Sequence, residues 1–190
     1  MQKKGLIVIG AIVVIVVIIA AVFIGNYNSL VSKETDIEEA QANIQTLLQE
    51  RADKIPNLVA TVKGYADYES DTYLAVTEAR AAVSGASTVS ELEQADERLN
   101  SALNVWVNAV TEAYPELKAD SSFTALMDEI SSIENEIQYA RSKYNGTATE
   151  YNKSIRKFPG SIFASMFGFE KADLFSASSY AQNAPVISFD

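Results

Sequence analysis

The sequence predicts an all-α protein, an antiparallel up-and-down bundle of long helices carried on one N-terminal transmembrane helix. Three observations predict it. Residues 6–24 are nineteen in a row without a charged or polar side chain, and at about 1.5 Å per helical residue such a run spans roughly 28 Å, close to the hydrocarbon thickness of a bilayer. Beyond it, apolar residues recur every seven positions along three long stretches, the spacing that gathers them on one helical face. Between two of these stretches, Thr88-x-x-Glu91 forms a capping box, a signal that opens a helix.

Residues 1–5 are a short flank and residues 6–25 the transmembrane helix. The apolar run is longer than the roughly 7–15 residues of a signal-peptide core, and the following GNYNSLV offers no small-x-small cleavage site, so the anchor is expected to be retained. Lys3, Lys4 and the α-amino group precede the run, whereas Lys33, Glu34, Asp36, Glu38 and Glu39 follow it. The positive-inside bias then favours a cytoplasmic N-terminus with the bundle outside, on a margin of two lysines that leaves the reverse orientation open. Ala21-x-x-x-Gly25 is a small-xxx-small pattern of the kind that pairs two spans, though such matches also arise by chance in a run containing Ala and Gly.

The bundle occupies residues 26–159. Leu30, Ile37, Ile44, Arg51, Leu58 and Tyr65 recur every seven, accompanied by Leu48, Ile55 and Val62, and no proline separates this face from the anchor. One helix is therefore expected to run from bilayer into bundle. Pro56 removes the hydrogen bond its N–H would give to Ala52, so a kink rather than an interruption is expected there, the apolar pattern resuming in phase at Leu58 and Val59. Residues around Tyr68 mark a boundary, residues 73–83 a short helix, and Ser84-Gly-Ala-Ser-Thr a break. Leu92, Leu99, Trp106 and Ala113 define the next helix, which closes near Tyr114-Pro115. Phe123, Ile130, Ile137, Tyr144, Tyr151 and Phe158, with Leu126, Ile133 and Ala140 beside them, define a long one that Pro159-Gly160 ends. Residues 160–190 form an aromatic-rich tail, with Ile162, Phe163, Met166 and Phe167 on one apolar turn and a strand-like Pro185-Val-Ile-Ser-Phe close. It is expected to pack back on the bundle, the competing reading being contact with bilayer or a partner.

Composition narrows the function. The chain of 190 residues, room for one ordinary domain, carries a formal charge of -10; beyond the anchor, 13 basic residues face 25 acidic ones. No nucleic-acid partner is expected, and headgroup attraction should contribute little to anchoring. There is no Cys and no His, which removes thiolate chemistry and the commonest general base and transition-metal ligand. Phosphate loops, dinucleotide fingerprints, nucleophile elbows and calcium-loop patterns are missing too. Glu38-Glu39, Glu91 with Glu93, and Glu134 with Glu136 read as solvated helix faces. No catalytic, cofactor-binding or metal-binding residue is assigned.

Polar residues on apolar faces are more informative. Arg51 takes a heptad position otherwise filled by Leu and Ile, and Glu134 and Arg141 lie one heptad apart beside the long stripe. A guanidinium inside a bundle needs a carboxylate, so Arg51 is expected to pair with Glu134 or Glu78 and fix register. Asn57, Asn145 and Asn152 are interior-position amides of the same kind. Tyr65, Trp106, Tyr144 and Tyr151 could instead line an apolar pocket.

Several motifs in order carry a family resemblance. Tyr27-Asn28, Gln49-Glu-Arg51-Ala-Asp-Lys-Ile-Pro56-Asn57-Leu-Val, Val62-Lys-Gly-Tyr65-Ala, Glu78-Ala-Arg80-Ala, Ala113-Tyr-Pro-Glu-Leu-Lys118-Ala, Glu134-Asn-Glu-Ile, Ala140-Arg141, Tyr144-Asn145, Tyr151-Asn152 and Phe158-Pro159 resemble the bacterial LemA family. The match runs from Tyr27 to Gly168-Phe169. It implies an antiparallel helical bundle on one transmembrane helix in the bacterial cell membrane, and little about activity. A magnetosome-associated member points towards membrane organisation in one lineage, and the family is described with its bundle in the cytoplasm, opposite to the charge argument. The expected function is a single-pass scaffold or self-assembling module, one that organises or shapes membrane; the alternative is a sensor or ligand-binding module. Expected partners are the bilayer through residues 6–25, and a second copy or another membrane protein.

Overall fold

The computed structural model describes residues 2–63 and 71–176, with side chains from residue 9 onward except that of Asp71. Tyr65, the boundary at Tyr68, the Pro185-to-Phe189 segment and the side chains of Lys3 and Lys4 lie outside the described residues. The elements are α1 (Gln2–Lys63), α2 (Asp71–Gly85), α3 (Val89–Ala113), a 3-10 turn (Pro115–Ala119), α4 (Ser121–Arg156) and α5 (Gly160–Phe167). No strand occurs among the described residues, so the expected all-α class holds.

At Pro56 the helix is not interrupted, and α1 continues through it to Lys63. The Ala52 carbonyl that loses its helical donor accepts a hydrogen bond from Arg80 Nε at 2.7 Å instead, so α2 supplies what proline withholds. At the other end, Phe158 does not complete the α4 stripe: the helix ends at Arg156 and Phe158 is 82% exposed. A residue before proline is disfavoured in the α region, which ends the regular path ahead of it.

Contacts divide the chain into two compact units, the described parts of Met1–Glu39 with Gly146–Ala172, and of Ala40–Asn145 with Asp173–Asp190. In the second unit the helices alternate in direction. Gln41 bonds the Ser87 carbonyl, Ser84 bonds Gln49 and Arg80 bonds Ala52, so α2 runs against α1; Lys54 with Glu129 and Arg51 with Glu134 set α4 against α1 as well. The heptad rows fill its core, Ile44, Leu48, Leu58, Leu92, Leu99, Trp106, Ile130 and Ile137 all being fully buried. Burying each large apolar side chain contributes about 1.5–3 kcal/mol. Side chains cap both later helices. Thr88 Oγ1 accepts from the Glu91 N–H while Glu91 accepts from the Thr88 N–H, as the capping box predicts, and Asp120 Oδ1 accepts from the N–H groups of Ser122 and Phe123.

In the first unit, Leu30 and Ile37 of α1 are buried, as are Ala148, Tyr151 and Ile155 of α4. Earlier in α1, the large apolar side chains from Ile9 to Val22 are 51–61% exposed, a surface no aqueous fold leaves open at such length. Pro159-Gly160 leads into α5, where a Cβ at Gly160 would collide with the Ser154 carbonyl. Gly168, at φ 76, ends α5 in the left-handed region, its N–H bonded to Ala164.

Candidate functional site: a buried ionic cluster

In the second unit, Arg51 of α1 reaches α3 and α4 at once. Its Nη1 lies 3.2 Å from Asp96 Oδ1 and 2.5 Å from Glu134 Oε2, and its Nη2 donates to Asn100 Oδ1 at 2.6 Å. From α4, Arg141 Nη2 forms an ion pair with Asp96 Oδ2 at 2.8 Å, outside hydrogen-bond geometry. Arg51, Asp96 and Arg141 are 4%, 1% and 5% exposed. Two guanidiniums and two carboxylates cancel, which is the condition for ionised groups to persist inside a bundle. The Arg141 guanidinium also lies over the Phe175 ring, 5.1 Å from its centroid, and Tyr144 meets the same ring edge-on.

Burial pushes the Asp96 carboxyl up to about 6, against the opposing pull of Arg141 and Arg51. Five residues earlier on α3, Glu91 is held down at about 2, chiefly by the backbone N–H groups of Ser87 and Thr88. The cluster can bind helices together; both its carboxylates are already committed to arginines, and no group of three or more His, Cys, Asp or Glu among the described residues could hold a metal ion.

The remaining sequence-derived residues fall in several places. Asn145 clasps the chain after α5, its amide bonding both the N–H and the carbonyl of Phe175 at 2.9 Å, and Tyr144 donates to the Asp173 carbonyl. In the first unit Asn152 does the same for Ala172, again at 2.9 Å in both directions. Both amides therefore hold a segment without secondary structure rather than another helix. Asn57 and Glu78 are exposed and stand apart from the cluster. Ala21 and Gly25 lie on the exposed apolar length of α1, with open space where a Gly25 Cβ would point. Trp106, Tyr144 and Tyr151 are packed in the two cores at 1–2% exposure. Open space lies elsewhere, in grooves that include one of about 540 Å³ between α2 and α3 lined by Ala75, Glu78, Ala79, Ala82, Arg98, Ala102 and Val105, and one of about 690 Å³ lined by Gln45, Gln49, Asp53, Asn57 and Ser84.

Sequence reasoning missed Asp96, Asn100, Arg80 and Glu93, whose Oε1 accepts from the Ser176 N–H. Asp96 did carry a signal: it sits one heptad before Leu103 and two before Val110, a row that is buried throughout. Its acidic neighbours in EQADER disguised it as surface.

Over residues 40–189 the sequence matches the family model described as LemA family. The chain belongs to the LemA family. Among its relatives, the protein named LemA from Metamycoplasma hominis is 27% identical over 161 residues, 83% of this chain and 72% of that relative. Magnetosome protein MamQ 2 from Paramagnetospirillum magneticum is 26% identical over 198 residues, 90% and 72% of the two chains. Magnetosome protein MamQ from Magnetospirillum gryphiswaldense is 24% identical, covering 85% and 68%. A helical bundle with an apolar N-terminal helix in this family supports membrane anchoring. In this LemA-family chain the matched region holds the whole ionic cluster and both asparagine clasps.

Proposed function

We propose that this LemA-family chain is a single-pass, membrane-anchored helical scaffold, a self-assembling or partner-docking module with no chemistry of its own. One observation carries the reading: α1 bears, without a break, both the exposed apolar length and the buried heptad row Leu30, Ile37, Ile44, Arg51 and Leu58. An anchor that is also a bundle helix makes the membrane part of the fold. The ionic cluster supports the same reading, because its charges are spent on each other and on helix register. Relatives named as magnetosome proteins lend support to a role in organising membrane. Cross-linking in native membranes is expected to trap a second copy or another membrane protein, with full-length protein larger than a monomer in mild detergent. A monomer without partners overturns the reading. Protease accessibility in intact against broken cells assigns the orientation, for which Lys3 and Lys4 favour a cytoplasmic N-terminus.

The α2–α3 groove favours a second reading, a module that takes an apolar ligand. Thermal stabilisation of the full chain by an apolar compound, lost in Ala102→Phe, would support it; no stabilisation across a broad set of such compounds would end it.

A further inference from the structure

Helix α5 has the sequence GSIFASMF, with two serines and no charge. A helix that is apolar on both sides is stable only where both sides are covered. One side is covered by α1: the Phe163 ring meets Phe23 at 4.8 Å, and Phe167 meets Phe23 at 5.9 Å and Tyr27 at 4.8 Å. Phe23 is the last residue but one of the apolar run, so α5 sits beside the end of the spanning segment. The other side is open. Phe158, Ile162 and Met166, four residues apart, are 82%, 50% and 59% exposed, and Phe167 is 46% exposed.

We propose that α5 and the Phe158-Pro159-Gly160 turn before it form a foot that inserts into the bilayer leaflet alongside the end of α1, giving the chain a second lipid contact. The inference rests on the membrane-anchored reading above. Lipid is favoured as the occupant because the surface against which α5 packs is itself the exposed apolar length of α1. Charge agrees. The unit containing α5 carries seven basic and six acidic residues, against eight and nineteen in the other. Arg156 and Lys157 stand exposed just before the foot and Lys171 just after it, with Lys153 paired to Glu150, and Glu170 and Asp173 the acids beside Lys171 in sequence. Basic residues flanking an apolar insert are placed for lipid headgroups. The strong repulsion expected for the chain beyond the anchor belongs to the other unit.

The chain has no cysteine, so single-cysteine variants of the full-length protein can carry an environment-sensitive fluorophore in vesicles of phosphatidylethanolamine and phosphatidylglycerol. Labels go on Phe158→Cys, Ile162→Cys and Met166→Cys, with Val16→Cys in the apolar run and Tyr139→Cys, a 75% exposed position of the bundle, as references. Helical circular dichroism checks each variant. The expected result is several-fold stronger quenching of the three foot labels by a nitroxide placed shallow in the acyl chains than by iodide in the water, with the opposite ratio at Tyr139→Cys. Foot labels that follow Tyr139→Cys place α5 in water and overturn the proposal. Foot labels quenched by neither agent place a second protein surface on α5 and overturn it equally. A label at Val16→Cys that escapes a nitroxide near the bilayer centre removes the anchor itself, and with it both readings; a lipid-quenched Val16→Cys with water-quenched foot labels removes the foot alone.

Discussion

Arg51, Asp96 and Arg141 join three helices through charge, whereas Asn145 and Asn152 join a helix to an irregular segment through neutral amides. The two devices fail differently. An amide that meets one N–H and one carbonyl is satisfied alone, so each clasp is independent of the other. In the cluster, each guanidinium relies on the oxygens of an acidic side chain from another helix, and deleting that side chain strands it. Charge therefore gives the bundle an all-or-none lock, and the amides give the tail separable fastenings.

The largest expected effect breaks the lock. Asp96→Leu leaves two buried guanidiniums with Glu134 alone and should cost about 3–5 kcal/mol in chemical denaturation of the detergent-solubilised protein. Combining it with Arg51→Met, Arg141→Met and Glu134→Gln should recover most of that loss, because no charge of the cluster is then left unpaired; a quadruple variant as unstable as the single one would contradict the all-or-none account. Arg80→Ala exposes the Ala52 carbonyl that Pro56 leaves without a helical donor, at about 1–3 kcal/mol, and restoring that donor with Pro56→Ala should make the loss smaller. Asn145→Ala and Asn152→Ala should each cost about 1–2 kcal/mol, additively, with earlier protease cleavage near residues 172–176. Non-additive losses would make the clasps one unit after all.

Acidity sharpens the contrast most gently. With the folded Asp96 carboxyl at about 6 and about 3.9 when unfolded, the folded chain holds the extra proton, so this group's contribution to stability falls as pH rises from about 4 to about 6. Glu91 works the other way: held at about 2, it contributes stability above about 4.3 that is lost as pH falls through its folded value. The melting temperature should accordingly peak between these windows, and Glu91→Gln should flatten only the acid side. A steady loss from neutral pH down to 4 would contradict the Asp96 assignment.

Much of the fold was legible because heptad rows report burial directly. Leu30 to Leu58, Leu92 to Trp106 and Phe123 to Tyr151 lie where their spacing put them, and Thr88 caps α3 as its motif required. Arg51 was recognisable as buried by the same rule, yet its second acidic partner was harder to see: a row position predicts depth, and local composition masked Asp96. Arg80 could not be found from spacing, since its role is to answer a vacancy made by Pro56 on another helix. Asn145 and Asn152 were placed on the right helix, but their partners have no period to read.

The reach of Arg51 also sets an order of assembly. Its partners lie 45 and 83 residues further along the chain, so during synthesis the guanidinium appears long before either carboxylate. Helices α2 and α3, adjacent in sequence and the second opened by a local cap, can form early. The lock closes only after Glu134 and Arg141 of α4 have emerged, by which time the apolar run has already left the ribosome. A chain truncated before residue 134 would thus keep its anchor and hold Arg51 with half of its charge partners, a species suited to quality control rather than to function.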